Sequence, residues 1–170
     1  MEHHLTTYIT HDTLISALGF GTQENLEAIR SYHSGITLQT DKRIADTPLL
    51  AATLSQERLQ QQAEAIGVSG YPRMEQLFIL TINELIRQSG QTLEDKTCGL
   101  ILSTTKGNID LLARHTEHPD EAVFLWKMAE RIGHFFEAAN QVEVISNACI
   151  SGVSALVVAK RWIESGRYKR

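Results

Sequence analysis

The stretch 141–166 constrains the fold of this chain more than any other part of the sequence. Residues 141–146 (QVEVIS) alternate as the residues of a β-strand do, and residues 148–166 indicate a helix that ends on a glycine. The chain must reverse direction between the two, so Cys149 is predicted at the sharp turn where the backbone enters the helix. This strand, turn and helix have the arrangement of a nucleophile elbow.

Cys149 is therefore the first candidate for chemistry. The unpaired N–H groups at the start of a helix favour the thiolate, which is the nucleophilic form, and they can also hold the oxyanion formed when a thioester is attacked. The alternative stays open, because most free cysteines are small core fillers. That alternative is our interpretation of Cys98, which lies inside an apolar segment.

The helix predicted after Cys149 is apolar over most of its first three turns. One flank consists of the small residues Ala148, Gly152, Ala155 and Ala159. Most of the remaining surface consists of larger apolar residues, which are Ile150, Val153, Leu156, Val157 and Val158. A helix that is apolar nearly all round is expected to be buried. Cys149 would then lie at the floor of a pocket.

The rest of the chain alternates between strand and helix signals. The expected elements are a strand within 8–18, a helix over 23–32 capped by Thr22, irregular structure over 34–54, helices over 55–65 and 72–90, a strand over 97–103, a turn over 104–108 and a helix from Pro119 toward Phe136. Parallel strands need helical crossovers between them. The order therefore predicts a layered α/β fold with a mixed, mainly parallel sheet and a buried nucleophile helix.

Composition narrows the classes of function. The chain has 170 residues, of which 42% are hydrophobic and 21% charged, so it is expected to fold as one globular unit. A net charge of -4 gives no general field to attract nucleic acid or anionic lipid. No apolar run is long enough to span a membrane, and the first residues lack the pattern of a signal peptide, so we expect a cytoplasmic protein. The two cysteines lack the spacing of a disulfide framework or a zinc site.

Several segments, in order and spacing, resemble the N-terminal half of an elongating β-ketoacyl-(acyl carrier protein) synthase of the thiolase-like superfamily. They are Ile9-Thr10, Ser16-Ala17-Leu18-Gly19, Asn25-Leu26, Ala28-Ile29, Ser34-Gly35-Ile36, the strand 100–103 followed by Gly107, Asn147-Ala148-Cys149 with Ser151-Gly152, and the stretch 163–168. The resemblance runs over nearly all 170 residues. It implies that residues 1–170 form the N-terminal thiolase-like half-domain of a longer protein.

The resemblance also implies an acyltransferase activity. Cys149 would accept an acyl group from an acyl carrier protein or coenzyme A, and a decarboxylated malonyl-type extender would attack that thioester in a Claisen condensation of fatty-acid or polyketide-type biosynthesis. Lys106, Gly107, Asn108 and Ile150 are the expected substrate-binding residues. No cofactor and no metal are expected, and the expected assembly is a homodimer.

Departures from the family pattern point to a divergent, secondary-metabolic ketosynthase. Lys106 stands where an apolar residue often faces the acyl chain, and Ile150 is bulkier than the residue usual after the cysteine. The family's two catalytic histidines lie downstream of the cysteine, whereas the seven histidines here, His3, His4, His11, His33, His115, His118 and His134, all precede it. Alone, the chain is expected to be acylated weakly or not at all and not to condense.

Two other functions stay open. One is a catalytically silent synthase-like module that dimerises or binds a carrier protein. The other is an unrelated cysteine hydrolase, for which His134 is the candidate base.

Overall fold

The computed structural model describes residues 6–114 and 120–170. Its longer elements are five helices and six strands: β1 (Ile15–Ser16), β2 (Gly19–Phe20), α1 (Thr22–Arg30), β3 (Ile36–Gln39), β4 (Leu49–Ala52), α2 (Gln56–Ala65), α3 (Arg73–Ser89), β5 (Ile101–Ser103), α4 (Leu125–Phe135), β6 (Glu143–Ile145) and α5 (Ser151–Glu164). Short 3₁₀ turns occupy Ile109–Arg114, Glu121–Val123 and Ala148–Ile150.

A parallel pair of strands lies between two helical layers. In β5 and β6, Ile101 pairs with Glu143 and Ser103 with Ile145. Leu102 belongs to the core that α3 and α4 build around the fully buried Ile79, Met128 and Ile132. Ile101, on the opposite face of the pleat, lines a cavity with α5. The α/β class is therefore confirmed, with parallel strands at the centre.

Two of the helices follow from their sequence signals. The hydroxyl of Ser55 accepts a hydrogen bond from the backbone N–H of Arg58 and so caps α2, which begins one residue after the predicted start. Helix α3 begins directly after Pro72 and ends at Gly90, whose φ of 65° only glycine adopts at low cost. Both boundaries agree with the sequence prediction.

The beginning of the chain differs from the prediction. The apolar segment 8–18 contributes only β1, which pairs with β2 in a tight antiparallel turn. Gly21, not Thr22, precedes the first helical residue of α1, and the Thr22 hydroxyl instead donates to Asp12 Oδ2 at 2.6 Å. A threonine can cap a helix only from the residue before it, and Thr22 already lies inside the helix.

The prediction of irregular structure for 34–54 is wrong at Ile36–Gln39 and Leu49–Ala52, and it is confirmed for the residues between them. Strands β3 and β4 form an antiparallel hairpin in which Leu38 pairs with Leu50 and Ile36 with Ala52. These residues share one face, and that face is exposed. The continuous apolar run of β4 lacks the alternation of apolar and polar residues that identifies a half-buried strand, so no strand was predicted there.

Two further details are corrected. Of the strand pairs in the described ranges, only β5 and β6 are parallel, so the sheet structure there is not mainly parallel. The helix expected from Pro119, itself outside the described residues, is interrupted at Phe124, whose extended backbone (φ −72°, ψ 133°) separates the 3₁₀ turn from α4. Among the described helices, none is both long and apolar enough to cross a bilayer.

Candidate functional site

Cys149 lies where the sequence places it, between a strand and a helix. Strand β6 ends at Ile145, the 3₁₀ turn Ala148–Ile150 follows, and α5 begins at Ser151. The thiol is exposed, whereas Cys98 is half-buried against the core. Burial raises the pKa of the Cys98 thiol, with the charge of Arg170 acting in the opposite direction.

The backbone just before the nucleophile is strained. Ala148 has a φ of 43°, in the left-handed region where a Cβ atom crowds the following carbonyl. That conformation costs about 1–2 kcal/mol for a residue other than glycine. A conformation of this cost persists only when its surroundings hold it.

Ser151 holds this turn. Its hydroxyl accepts a hydrogen bond from the Asn147 N–H at 2.7 Å and donates one to the Ala148 carbonyl at 2.8 Å. The side chain of Ser151 is only 6% exposed, although its neighbours in the turn are exposed. We call these two hydrogen bonds of the Ser151 hydroxyl the brace. The sequence analysis assigned no role to Ser151. Its signal was a serine two residues after the cysteine, at the first position of the helix.

The prediction that the helix after Cys149 is buried is wrong, because α5 is covered on one side only. One side packs on β5 and β6, and the small residues Ala155 and Ala159 face Gly99 and Ile101 there. The other side, together with Ile150 just before the helix, carries an exposed apolar strip, consisting of Ile150, Val153, Leu156 and Val157, which are 56%, 65%, 57% and 44% exposed. The described residues supply a cover for one side only, so Cys149 stands at an open surface and not at a pocket floor.

The turn 104–108 leaves the sheet at the same edge as the cysteine turn. Because β5 and β6 are parallel, their carboxyl ends lie side by side, and the Thr104 N–H donates to the Ile145 carbonyl at 3.3 Å. The Thr104 hydroxyl accepts from the N–H groups of Lys106 and Gly107 at 3.2 and 3.1 Å. The turn 104–108 and the turn that carries Cys149 therefore both begin at the carboxyl end of this strand pair.

Glycine is required at position 107. Its φ is 53°, and a Cβ atom there would lie 2.5 Å from Leu125 Cδ2. A larger residue fits only if the Leu125 side chain shifts, and it also adopts the left-handed backbone that glycine tolerates best. Gly107 therefore lets the turn pass closely over the start of α4.

The expected substrate-binding side chains have different environments. Lys106 and Ile150 are exposed. Asn108 is fully buried, and its amide donates to Glu75 Oε1 at 2.7 Å and to the Ala122 carbonyl at 2.9 Å. Its side chain is thus engaged by the protein interior. The substrate-binding role of these residues stays a prediction.

Glu75 is a feature that the sequence analysis did not identify. This carboxylate on α3 is fully buried, and Arg131 Nε on α4 lies 3.0 Å from its Oε2. Burial raises the pKa of Glu75, while the hydrogen bond from Asn108 and the charge of Arg131 oppose that shift. Within the described ranges, Asn108 Oδ1 has no hydrogen-bond partner. The only sign of this buried carboxylate in the sequence is a glutamate within the amphipathic pattern of α3.

The histidines do not complete a catalytic pair in the part of the chain that is described. His11, His33 and His134 are exposed, and no hydrogen bond joins any of them to Cys149. His3, His4, His115 and His118 lie outside the described residues. No cluster of three potential metal ligands occurs among the described side chains.

Comparison with known proteins supports the fold. No family model and no curated protein sequence matches the chain. The solved structure of "The ishigamide ketosynthase/chain length factor" superposes with a TM-score of 0.71 at 19% sequence identity, over 91% of this chain and 48% of that one. The chain thus spans about half the length of this neighbour. Over the aligned residues, the chain therefore shares the α/β fold of this neighbour.

Proposed function

We propose that this chain is the nucleophile-bearing part of a thiolase-like β-ketoacyl synthase, with Cys149 as the residue that accepts the acyl group. One observation carries the proposal. Within a ketosynthase fold, the only exposed cysteine of the described residues stands on a strained turn, braced by Ser151, between a strand and a helix. A braced, strained turn that presents a reactive atom is typical of a functional site.

The chemistry follows in two steps. The Cys149 thiolate attacks the carbonyl carbon of an acyl thioester, the carrier thiol leaves with a proton, and the acyl group stays on the enzyme sulfur. A malonyl-type extender then loses carbon dioxide, and its carbanion forms a carbon–carbon bond to the acyl carbon as the Cys149 sulfur departs. The backbone N–H of Cys149 is the proposed oxyanion donor from this chain. We assign the acyl donor as an acyl carrier protein or acyl-coenzyme A.

We further propose that residues 1–170 form one half of a two-part unit. The exposed apolar strip on α5 supports this, because apolar side chains in a row on a helix are normally covered. The second half would supply the catalytic histidines and the second oxyanion donor.

A second ketosynthase-like chain is the proposed partner. The name of the structural neighbour joins two components, a ketosynthase and a chain length factor. Here the sequence predicts a second copy of the same chain. Light scattering of the purified chain tests this proposal: a mass near twice 19.0 kDa supports the homodimer, and a monomer at high concentration contradicts it.

A silent synthase-like module is the second candidate. It is favoured by the lack of any described histidine hydrogen-bonded to Cys149, and by the same exposed strip, which would serve association alone. The cysteine itself argues for the enzyme, since a silent module has no need of a braced thiol.

Covalent labelling separates these functions. The chain is incubated with a cerulenin-like epoxide, and the adduct is located by peptide mass mapping in the wild type, in Cys149→Ala and in Cys98→Ala. Selective labelling of Cys149 supports the synthase. Slow labelling of both cysteines supports the silent module, and thioester hydrolysis that is lost in His134→Ala would support the hydrolase.

A further inference from the structure

We propose that Glu75 is a positioning residue: through Asn108 it holds the turn 104–108, against which an acyl chain carried by Cys149 packs. The inference rests on the proposed function and adds to it a determinant of acyl-chain selectivity. Glu75 lies on α3, away from the cysteine, and acts through the turn alone.

Buried contacts fix the turn to the helices behind it. Asn108 is the last residue of the turn, and its amide makes two hydrogen bonds, one to Glu75 and one to the Ala122 carbonyl. Both side chains of the Asn108–Glu75 bond are fully buried. A buried hydrogen bond to a charged group is among the stronger hydrogen bonds in a protein. The end of the turn is thus fixed to α3.

The charge on Glu75 is itself held in place. Arg131 Nε lies 3.0 Å from the carboxylate, and the same guanidinium stacks on the ring of Tyr71 at 5.2 Å from its centroid. A buried carboxylate without a compensating cation would be strongly unfavourable. The contacts therefore connect α3, α4 and the turn.

The other end of the turn is tied to the cysteine strand. Thr104 bonds to Ile145, the last residue of β6, four residues before the nucleophile. Between its two fixed ends, the turn presents the exposed Lys106 at the sheet edge shared with Cys149. Loss of the Asn108 anchor would let the turn move relative to Cys149 without touching the thiol.

The test compares two alkylating probes that react with the Cys149 thiol directly and need no catalytic histidine. Iodoacetamide is small, whereas N-octyl iodoacetamide carries an alkyl chain that must lie against the protein. In each case the sulfur displaces iodide and a carbon–sulfur bond forms. We expect Glu75→Leu to lower the rate of the octyl probe relative to iodoacetamide at least fivefold, and Glu75→Gln, which can still accept from Asn108, to stay within twofold of the wild type.

Two controls separate positioning from general destabilisation. Glu84→Leu changes a partly buried carboxylate on the same helix, which pairs with Arg87 and does not contact the turn, and should leave the ratio unchanged. A merely unstable protein would react faster with both probes and at Cys98 as well. Asn108→Ala breaks the same bond from the side of the turn, so it replaces Glu75→Leu if that variant does not fold.

The outcomes are distinct from those of the proposed function. A ratio within twofold of the wild type in both Glu75→Leu and Asn108→Ala overturns the positioning role, whatever the labelling of Cys149 by the epoxide. Hydrogen exchange gives a second reading. The amides of Lys106 and Gly107 should exchange at least tenfold faster in Asn108→Ala, and unchanged exchange there also overturns the inference.

Discussion

Replacing Ser151 by alanine removes the brace behind the nucleophile turn. The change deletes two hydrogen bonds, of 2.7 Å from the Asn147 N–H and 2.8 Å to the Ala148 carbonyl. At a net value of about 0.5–1.5 kcal/mol each, their loss lowers the free energy of unfolding by about 1–3 kcal/mol. In a domain of this length, a loss of about 2 kcal/mol lowers Tm by about 4–8 °C.

The same substitution should also lower the reactivity of Cys149. Without the brace, Ala148 is free to leave its strained φ of 43°, and the backbone N–H groups of the turn no longer stay aligned around the sulfur. We expect the rate of Cys149 with iodoacetamide to fall at least threefold, measured by quenching and peptide mapping over time.

Ser154→Ala is the matched control for this prediction. It lies one turn further along α5 and receives only a 3.4 Å hydrogen bond from the Asn147 side chain. Its unfolding free energy should stay within about 0.5 kcal/mol of the wild type. If Ser151→Ala behaves like Ser154→Ala in both urea unfolding and alkylation, the brace has no role and the reasoning is refuted.

Three further predictions concern the surroundings of the site. Gly107→Ala adds both left-handed strain and a clash with Leu125, so the free energy of unfolding in urea should fall by about 2–5 kcal/mol. Gly90 also has a positive φ but lies in open space, so Gly90→Ala should lower it by only about 1–2 kcal/mol. Equal losses in the two variants would contradict the close approach of Gly107 to Leu125. The raised pKa of the buried Glu75 means that the folded protein binds this proton at a higher pH than the unfolded chain, so stability relative to Glu75→Gln should increase as the pH falls from 7 toward 5. A constant or opposite difference in urea titrations would show that burial does not govern this carboxyl. Met128→Ala removes a fully buried side chain and should cost about 2–5 kcal/mol in the same assay, and a cost under 1 kcal/mol would place Met128 outside the core.

The elements with strong local signals could be predicted from the sequence. Helix α3 has an amphipathic pattern between a proline and a glycine, and both signals act within the helix itself. The strand and helix around Cys149 were predicted for the same reason, with the helix beginning three residues later than expected because Ala148–Ile150 form a 3₁₀ turn.

Features that depend on distant residues could not be predicted. Glu75 meets its partners Asn108 and Arg131 only in the folded chain, and periodicity carries no information about such pairs. The apolar residues Ile36, Leu38 and Leu50 of the β3–β4 hairpin are exposed, so a prediction that assigns apolar residues to a buried face could not identify the hairpin.

The exposed side of α5 shows that apolar sequence alone does not predict which side of a helix is buried. Val153 and Leu156 have the sequence of a buried helix, yet they are exposed because β5 and β6 cover only the opposite side. The apolar sequence of α5 predicts that other residues pack on both of its sides. It does not predict that the described residues pack on one side only.

The rate of Cys149 with iodoacetamide, compared between the folded chain and the urea-unfolded chain at one pH, tests the central claim most directly. A thiol that a braced turn and a helix start prepare for acyl transfer should react at least about tenfold faster in the folded chain. A folded-state rate equal to or below that of the unfolded chain would contradict the assignment of Cys149 as the acyl-accepting nucleophile.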